Sequence, residues 1–531
     1  MSTDPTPPQD AYWSEFQVTE ADLDIIYNLL LEREKPLTLR QIVEPLVQHH
    51  LDRLEREAKA AAETENPVYL PKESYEKGQV LTFPAVGGAV GEVVAVRKGE
   101  NPDIGEFQVI KVEFESNGNA REFAAELEDH ALNEPPEENL FDEDVDPLDA
   151  VMQRYGDTFE AQLAELLEET DDIVRIAWRW FPRSLLADIN VGHLNLAEAV
   201  LDVAEGGPVG TDELVEHIEL PENLDPLLAR FSLDYALQED ARFDEVGPAG
   251  EILWFLQRLE PDEVLEAPRR LAYEPRSFSR SRLTDELLKL EAELEDEHGP
   301  MVPVKTRIEK VTLPVLFPHW RVGALPLSAR LRELFPTAYE APRIRFLLID
   351  GHSQETFPGW VVRTEGYVFG LEEWYRRYDV PAGGLIQLRR GKENGEVIIE
   401  AVNRRSRNDW IRTVTIGDGG QVGFTMLKQP VGTSYDELMV VGVVDAEALD
   451  EAWYKGSQRN MSDDRLIGYV FRELAKLNPQ TAVHAKSLYS GVNVFRRLPP
   501  GPIFAELVTR DQYEHVGDLY WRLSDVSGSA A

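Results

Sequence analysis

The sequence predicts an α+β protein of several domains, and three observations carry this prediction. The chain has 531 residues, which is too long for one hydrophobic core. Segments with the apolar spacing of helices alternate with apolar runs of the β type between glycines and prolines. Two distant segments, 192–257 and 462–524, repeat one succession of residue types. We therefore expect two copies of a helical unit together with a small β-module and a β-barrel-like domain.

The N-terminal third is predicted to contain a tail, a helical segment and a β-module. Apolar residues from Leu23 to Leu31 recur at helical spacing, and a second helix follows Pro36 with Thr38 as its N-cap. Short apolar runs then alternate with Gly and Pro signals, which is typical of about four strands. The boundaries that we expect are a disordered tail at 1–17, helices at 18–66, the β-module at 67–125 and an acidic linker at 126–149.

The remaining residues are predicted to change from helices to strands and back. Residues 173–186 place several apolar side chains and Trp180 on one helical face, so we expect a core helix there. A short helix, Leu371–Tyr378, is expected among the strands. The boundaries that we expect are a helical region at 150–300, a β-rich domain at 301–455, a C-terminal helical unit at 456–524 and a tail at 525–531.

The repeat is clearest where each copy ends. The first copy reads Phe-Asp-Glu-Val-Gly at 243–247, followed by Trp254, and the second reads Tyr-Glu-His-Val-Gly at 513–517, followed by Trp521. Each Trp is followed two residues later by Leu. Upstream, Thr211 and Thr481 each precede a predicted helix, so a constant offset aligns them. The pattern predicts three helices followed by a β-hairpin in each copy.

This unit resembles the winged-helix domains of the helicase- and RNA-polymerase-associated type, found in the delta subunit of bacterial RNA polymerase. The resemblance rests on the aromatic–x–x–Val-Gly and Trp–x–Leu residues at the end of each copy. Residues 36–42 and their neighbouring helices resemble a third, partial copy without the hairpin. The resemblance implies a DNA-associated role linked to transcription.

The β-rich region resembles the pseudobarrel domains of DNA-binding proteins. A short helix is followed by Pro381 and a glycine turn, and an apolar strand comes next. The Asp that this family carries in the turn is replaced by Gly384. The resemblance implies a barrel-like sheet between the two repeat copies.

The negative charge lies entirely in the first 300 residues. They contain 69 acidic and 25 basic residues, whereas residues 301–531 contain 28 and 29, and the net charge of the chain is −43. Such polarisation favours one surface for a basic protein and another near nucleic acid. Because the total charge repels phosphate, contact with duplex DNA is expected to be local and confined to the C-terminal half.

The two copies of the repeat also differ in charge. Residues 211–240 contain nine acidic residues and one basic residue, so this copy is expected to bind a basic protein partner, such as RNA polymerase or another DNA-processing complex. The residues predicted for that contact are Glu213, Glu216 and Asp240.

Basic residues of the C-terminal half are candidates for nucleic-acid contact. Arginines interleaved with an aromatic side chain suit phosphate binding and base stacking. The open alternative is a solvated face whose arginines pair with the neighbouring acids Glu393, Glu396, Glu400 and Asp409. The predicted set is Arg389, Arg390, Arg404, Arg405, Arg407, Trp410, Lys486, Arg496, Arg497 and Arg510.

Signals of catalysis and of secretion are missing from the sequence. No P-loop, Gly-x-Ser-x-Gly or His-Glu-x-x-His pattern occurs, and Asp350-Gly351-His352 with Glu355 suits a hairpin turn better than a metal site. The chain has no cysteine, and we find neither a signal peptide nor an apolar run of about 18–20 residues. We expect a cytoplasmic protein without metal, cofactor or membrane contact.

Together these patterns predict a non-enzymatic, DNA-associated regulatory or accessory protein linked to transcription. Two alternatives remain open. The chain could be a protein-interaction scaffold or a DNA mimic that does not bind DNA, or an unrecognised nuclease or hydrolase.

Overall fold

The fold is described from a computed structural model of the chain. The structure describes residues 8–524 apart from 65–66, 84–85, 87–88, 101–106, 115–119, 129, 134–145, 222–223, 302–305, 393–394, 403–405, 418–419 and 456–459. The chain divides into two compact units, Met1–Leu186 and Ala187–Ala531. Residues 1–7 of the predicted tail at 1–17, the tail at 525–531 and most of the acidic linker lie outside the described residues. The rest of the first tail is not disordered, because Pro8–Glu15 forms a helix and Trp13 is buried.

The first compact unit combines helices with two small sheets. Its helices are α1 (Pro8–Glu15), α2 (Leu23–Arg33), α3 (Leu39–Thr64) and α4 (Pro147–Glu168). Its strands are β1 (Leu37–Thr38), β2 (Val80–Phe83), β3 (Ala89–Lys98), β4 (Gln108–Phe114), β5 (Ala120–Ala125), β6 (Ile173–Ile176) and β7 (Arg179–Pro182). Asp146, from the predicted linker, caps α4 by accepting a hydrogen bond from the Leu148 N–H at 2.9 Å.

The β-module lies where the sequence places it. Strands β2 to β5 form an antiparallel four-stranded sheet in chain order. Aromatic side chains fill its core, with the rings of Tyr69 and Phe83 stacked at 4.8 Å and those of Phe83 and Phe123 at 4.6 Å. The module is inserted between α3 and α4, and this separates two helices that pack against each other.

The predicted core helix at 173–186 is wrong. Residues 173–182 form the antiparallel hairpin β6–β7, with Ala177 in the left-handed region at φ 53°. The second strand of the hairpin also pairs with β1, Leu37 lying opposite Trp180. The buried apolar residues run consecutively along both strands, a pattern that fits a helix as well, and a distant pairing partner decides between strand and helix.

The second compact unit contains the remaining elements. Its helices are α5 (Val191–Val203), α6 (Thr211–Glu216), α7 (Pro226–Gln238), α8 (Asp262–Leu265), α9 (Asp285–Glu293), α10 (Phe317–Val322), α11 (Glu372–Arg377), α12 (Ala446–Lys455), α13 (Asp463–Ala475), α14 (Ala485–Phe495) and α15 (Pro500–Thr509).

Its strands belong to four sheets. They are β8 (Val209–Gly210), β9 (Phe243–Glu245), β10 (Leu253–Leu256), β11 (Lys310–Pro314), β12 (Ala324–Pro326), β13 (Arg343–Asp350), β14 (Thr356–Val362), β15 (Tyr367–Phe369), β16 (Leu385–Arg390), β17 (Glu396–Ala401), β18 (Arg407–Ile416), β19 (Val422–Val431), β20 (Gly442–Val443), β21 (Val483–His484), β22 (Tyr513–Gly517) and β23 (Tyr520–Leu523).

One succession of elements occurs three times. It consists of a helix, a short strand, two helices and a hairpin, and the short strand always pairs with the second strand of the hairpin. We name these segments the N-terminal repeat (α2 to β7), the central repeat (α5 to β10) and the C-terminal repeat (α13 to β23). The N-terminal repeat has the hairpin that the sequence did not reveal, because the β-module separates it from the first two helices.

Each repeat places a tryptophan at the same point of its sheet. Trp180 lies opposite Leu37, Trp254 lies opposite Val209, and Trp521 lies opposite Val483. All three tryptophans are buried. The resemblance to winged-helix domains stays a prediction, whereas the shared element order and strand order are features of the fold.

The constant offset between the copies is wrong for their first halves. Because Val209 corresponds to Val483, Thr211 at the start of α6 corresponds to Ala485 at the start of α14. Thr481 instead precedes β21, with φ at 52°. The loops between the second and third helices differ in length, so the two copies drift out of register.

The β-rich region forms two sheets. The larger is a curled half-barrel of seven strands in the order β11-β16-β17-β13-β14-β15-β12, and the smaller has the order β19-β18-β20. Helix α11 lies at the predicted short helix. Within the larger sheet β13 and β17 are parallel.

Several parts of the second compact unit share one core. Leu287 of α9, Phe317 of α10 and Phe424 of β19 belong to the same buried cluster as Phe471 and Phe504 of the C-terminal repeat. The core therefore extends across the predicted boundaries at 300 and 455. No helix in the described parts of the chain combines the length and apolarity needed to cross a bilayer.

Candidate functional site

In helix-turn-helix domains, the class to which the resemblance points, the last helix before the hairpin enters the DNA groove and must lie on the surface. In the C-terminal repeat this helix, α15, buries Ile503, Phe504 and Leu507 and carries no basic residue. Its start is tightly packed, since a Cβ added to Gly501 would lie 2.5 Å from the Phe278 ring and 2.8 Å from a Glu291 oxygen. Helix α15 is therefore covered by the segment that leads into α9.

Arg497 is placed in the core rather than on a DNA-facing surface. Its guanidinium lies 2.7 Å from the Asp296 carboxylate and 2.9 Å from that of Glu297, and all three side chains are almost fully buried. Burial opposes its charge, but Asp296 and Glu297 raise the pKa of Arg497 above its ordinary value. A phosphate cannot reach this side chain without unfolding its surroundings, so the predicted phosphate contact is wrong for Arg497.

The same buried cluster contains a histidine and a tyrosine. His319 Nε2 lies 3.2 Å from Glu297, and the Tyr489 hydroxyl donates to Asp296 at 2.6 Å. Burial alone would raise the pKa of Glu297, but Arg497 and His319 hold it below its usual range. Nothing in the local sequence reveals that Glu297 pairs with Arg497, 200 residues away along the chain.

The other predicted basic residues of the C-terminal repeat form ion pairs within the chain. Arg496 lies 2.5 Å from Asp463, and Arg510 lies 2.9 Å from Glu506. The Lys486 ammonium contacts Asp436. Each of these cations has an acidic partner with which a phosphate would have to compete, and the pair of Arg510, which is 53% exposed, is a weak one.

The arginines of the β-rich region are held in the same way. Arg389 pairs with Glu400 at 2.9 Å, and Arg407 pairs with Asp409 at 2.6 Å. Arg390 donates to the backbone oxygens of Ile308 and Glu333. The two ion pairs match the open alternative that the sequence left, whereas Arg404 and Arg405 lie outside the described residues.

Trp410 differs from the rest of the predicted nucleic-acid set. Its side chain is 66% exposed on β18, and its cross-strand partner is Lys428 of β19, which is also exposed. Met426, further along the same face, is 40% exposed. We name Trp410, Met426 and Lys428 the hairpin face, since they form a surface where an aromatic ring and a cation meet solvent.

The central repeat exposes part of its acidic residues. Glu213, Glu216 and Glu219 are exposed on and just after α6, and we name these three residues the acidic surface. Asp240, by contrast, lies 2.7 Å from Arg242 and is only partly exposed. Two of the three predicted partner-binding residues therefore stand free on the surface, and the third is held by a neighbouring arginine.

Two other acidic groups of the central repeat have raised pKa values because of burial. Asp234 accepts hydrogen bonds from the Thr211 hydroxyl at 2.5 Å and the Trp254 indole at 2.8 Å, and burial raises its pKa to about 7. Burial also raises the pKa of Glu245 to about 7. Part of the formal negative charge in this repeat is thus neutralised near pH 7.

An acidic pair links the central repeat to the half-barrel. Arg343 of β13 lies 2.5 Å from Asp244 and 3.1 Å from Glu260. Burial and the neighbouring Asp244 raise the pKa of Glu260 to about 8. The sequence gives no signal of this cluster, because its three members come from separate elements.

The segment around Asp350 contains the residues that most resemble a metal site in the sequence. The Asp350 segment forms the turn between β13 and β14, with Asp350 accepting from the His352 N–H at 2.8 Å. Among the described residues no group of three His, Asp or Glu side chains is arranged to hold a metal ion.

Comparisons with protein-family models, curated proteins and solved structures give no match to this chain.

Proposed function

We propose that this protein is a non-enzymatic accessory protein of a transcription or DNA-processing complex, and that it works by binding a basic protein partner. The acidic surface of the central repeat is the proposed docking site. One observation carries the proposal. None of the third helices of the repeats, which are α4, α7 and α15, presents a basic face to DNA.

Charge on those helices supports a protein partner over duplex DNA. Helix α4 carries one basic residue, Arg154, together with exposed Asp149, Asp157 and Glu165. Helix α7 also carries one basic residue, Arg230, which contacts Asp212. Helix α15 has none and is covered. Insertion into a groove lined by phosphates would bring like charges together, and no cation would be gained.

The acidic surface also supports a protein partner over duplex DNA. Glu213, Glu216 and Glu219 are exposed, whereas Asp234 is buried and Asp240 is paired with Arg242. Exposed carboxylates of one sign attract a basic partner and speed its association, and salt screens this attraction. A DNA mimic would use the same carboxylates, so this alternative is one form of the proposal.

Charge reversal tests the proposal. We would compare the wild-type chain with the triple variant Glu213→Lys, Glu216→Lys and Glu219→Lys by cross-linking capture from extracts of the native host. The proposal expects a basic protein that the wild type retains at low salt and that the variant loses. Raising the salt concentration should release it from the wild type.

A second triple variant serves as the matched control. Glu309→Lys, Glu447→Lys and Glu451→Lys change the net charge equally at exposed positions elsewhere in the same compact unit. The control should retain the partner. If both variants lose it equally, total charge acts and the acidic surface does not. Retention by both would contradict the proposal.

A second candidate function is contact with nucleic acid through the hairpin face. The observation that favours it is the exposure of Trp410 opposite Lys428. An exposed indole stacks on bases irrespective of sequence, and a neighbouring lysine attracts phosphate. This contact would be local, which suits a chain with a net charge of −43.

A further inference from the structure

A cleft in the second compact unit lies outside every site discussed so far. It is formed by the start of β14, the end of β15 and α11, and its volume is about 630 Å³. Aromatic side chains line it, namely Phe357, Trp360, Phe369 and Trp374. Concave sites of this size with aromatic walls and few polar groups are typical of ligand-binding clefts.

Charged side chains at the cleft are mainly acidic. Glu355, Glu373 and Arg377 line it. The Arg377 guanidinium contacts the Glu355 carboxylate and lies 3.9 Å from the buried Asp350 carboxylate. Glu373 is 90% exposed, and its nearest ion-pair partner is 3.8 Å away. The cation is therefore held by two acids, and Glu373 is left to attract a cation from outside.

Trp374 forms part of the cleft wall, and its indole N–H is buried behind that wall. Trp374 is only 3% exposed, and its Nε1–H has no hydrogen-bond partner among the described residues. By comparison, the Trp320 Nε1–H donates to the Val380 oxygen at 2.7 Å. The Nε1 atom is itself shielded from solvent, so this buried donor is a cost to the fold and not a contact point for an occupant.

We propose that this cleft binds a short peptide segment that carries an arginine or lysine side chain. The aromatic rings would pack against the aliphatic stem and the cationic head of that side chain, and the Glu373 carboxylate would form an ion pair with its charge. A nucleotide fits less well, because its phosphates would meet Glu355 and Glu373. The proposal deepens the proposed function, on which it rests for the source of the peptide, by naming a second contact point for a basic partner.

Binding can be followed in the full chain labelled with 5-fluorotryptophan. The chain has ten tryptophans, and the fluorine signals of Trp360 and Trp374 are assigned from the variants Trp360→Phe and Trp374→Phe. The probe is a capped Leu-Arg-Leu tripeptide, and its uncharged match has citrulline in place of arginine. We expect the arginine peptide to shift these two signals and the citrulline peptide to bind at least tenfold more weakly.

Two neighbouring glutamates on α11 provide a variant and its control. Glu373→Gln should weaken the arginine peptide at least threefold, whereas Glu372→Gln, one residue away and not lining the cleft, should leave its affinity unchanged. Equal binding of the two peptides, equal effects of the two variants, or shifts by AMP and not by the peptide would each overturn the proposal. So would the absence of any shift at 10 mM peptide.

The result is separable from that of the capture experiment. Loss of peptide binding together with an intact partner capture would refute the cleft alone. Peptide binding without any dependence of capture on the acidic surface would refute the proposed docking site alone.

Discussion

The guanidinium of Arg497 and the carboxylate of Asp296 lie 2.7 Å apart, and neither side chain is exposed to solvent. This ion pair joins the C-terminal repeat to the segment after α9. The sequence predicts Arg497 as a DNA contact, whereas the fold uses it as a buried structural residue. Its loss should therefore affect stability and not DNA affinity.

Arg497→Met should destabilise the second compact unit strongly. Removing one partner leaves Asp296 and Glu297 charged and buried, which costs about 3–5 kcal/mol. Arg496→Met is the matched control, since Arg496 is 24% exposed beside Asp463 and its loss should cost at most about 1 kcal/mol. Urea denaturation measures both, and equal losses would contradict the structural role of Arg497.

The equivalent tryptophans of two repeats should respond differently to one substitution. Trp254 Nε1 donates to the buried Asp234, whereas Trp521 Nε1 has no acceptor in the described part of the chain. Trp254→Phe should therefore cost about 1–3 kcal/mol more in unfolding free energy than Trp521→Phe. A larger loss for Trp521→Phe would show that the indole contact with Asp234 contributes little.

The contribution of Asp234 to stability should fall as the pH rises from about 4 to about 7. The folded pKa of Asp234, about 7, lies above its ordinary value of 3.8, so the folded state holds a proton that the unfolded state has released. Stability from this group is complete below the lower value and is lost as the pH rises through the upper one. Glu245, with a folded pKa of about 7, acts in the same direction.

Asp234→Asn isolates this effect. The amide oxygen can still accept from Thr211 and Trp254, and no charge has to be buried. The variant should match the wild type in urea denaturation at pH 3.5, below the lower pKa, and exceed it at pH 8. A variant that is less stable than the wild type at both pH values would refute the assignment.

Trp410→Ala should change binding without changing stability. An exposed side chain contributes within about 0.5 kcal/mol to folding, whereas the loss of one stacked base costs about 1–3 kcal/mol of binding. Anisotropy of a labelled single-stranded oligonucleotide measures the second quantity. Unchanged affinity in this variant would remove the hairpin face as a nucleic-acid contact.

The sequence predicts best what is encoded locally. The Val-Gly and Trp–x–Leu residues mark the hairpins of the central and C-terminal repeats, and apolar alternation marks the strands of the β-rich region. The hairpin at 173–182 escaped because its pairing partner, Leu37, lies far away along the chain. Strand identity depends on such distant partners more than helix identity does.

Charge partners are hidden from the sequence for the same reason. Arg389 and Arg407 pair with acids close by, as the open alternative allowed, but Arg496 and Arg497 pair with Asp463 and Asp296 from other elements. A cluster of arginines along the chain therefore says little about a basic surface in space. Exposure, as at Trp410, is visible only in the fold.

The most direct test of the central claim is a titration of a labelled 20-base-pair duplex with the full chain at 50 and 200 mM salt. We predict a Kd weaker than about 10⁻⁴ M at 200 mM salt, with no change in Arg496→Ala or Arg510→Ala. Tight duplex binding whose salt slope each of these variants flattens by about 0.9 would contradict the account, since it would show that the C-terminal repeat binds DNA through the cations that the structure pairs internally.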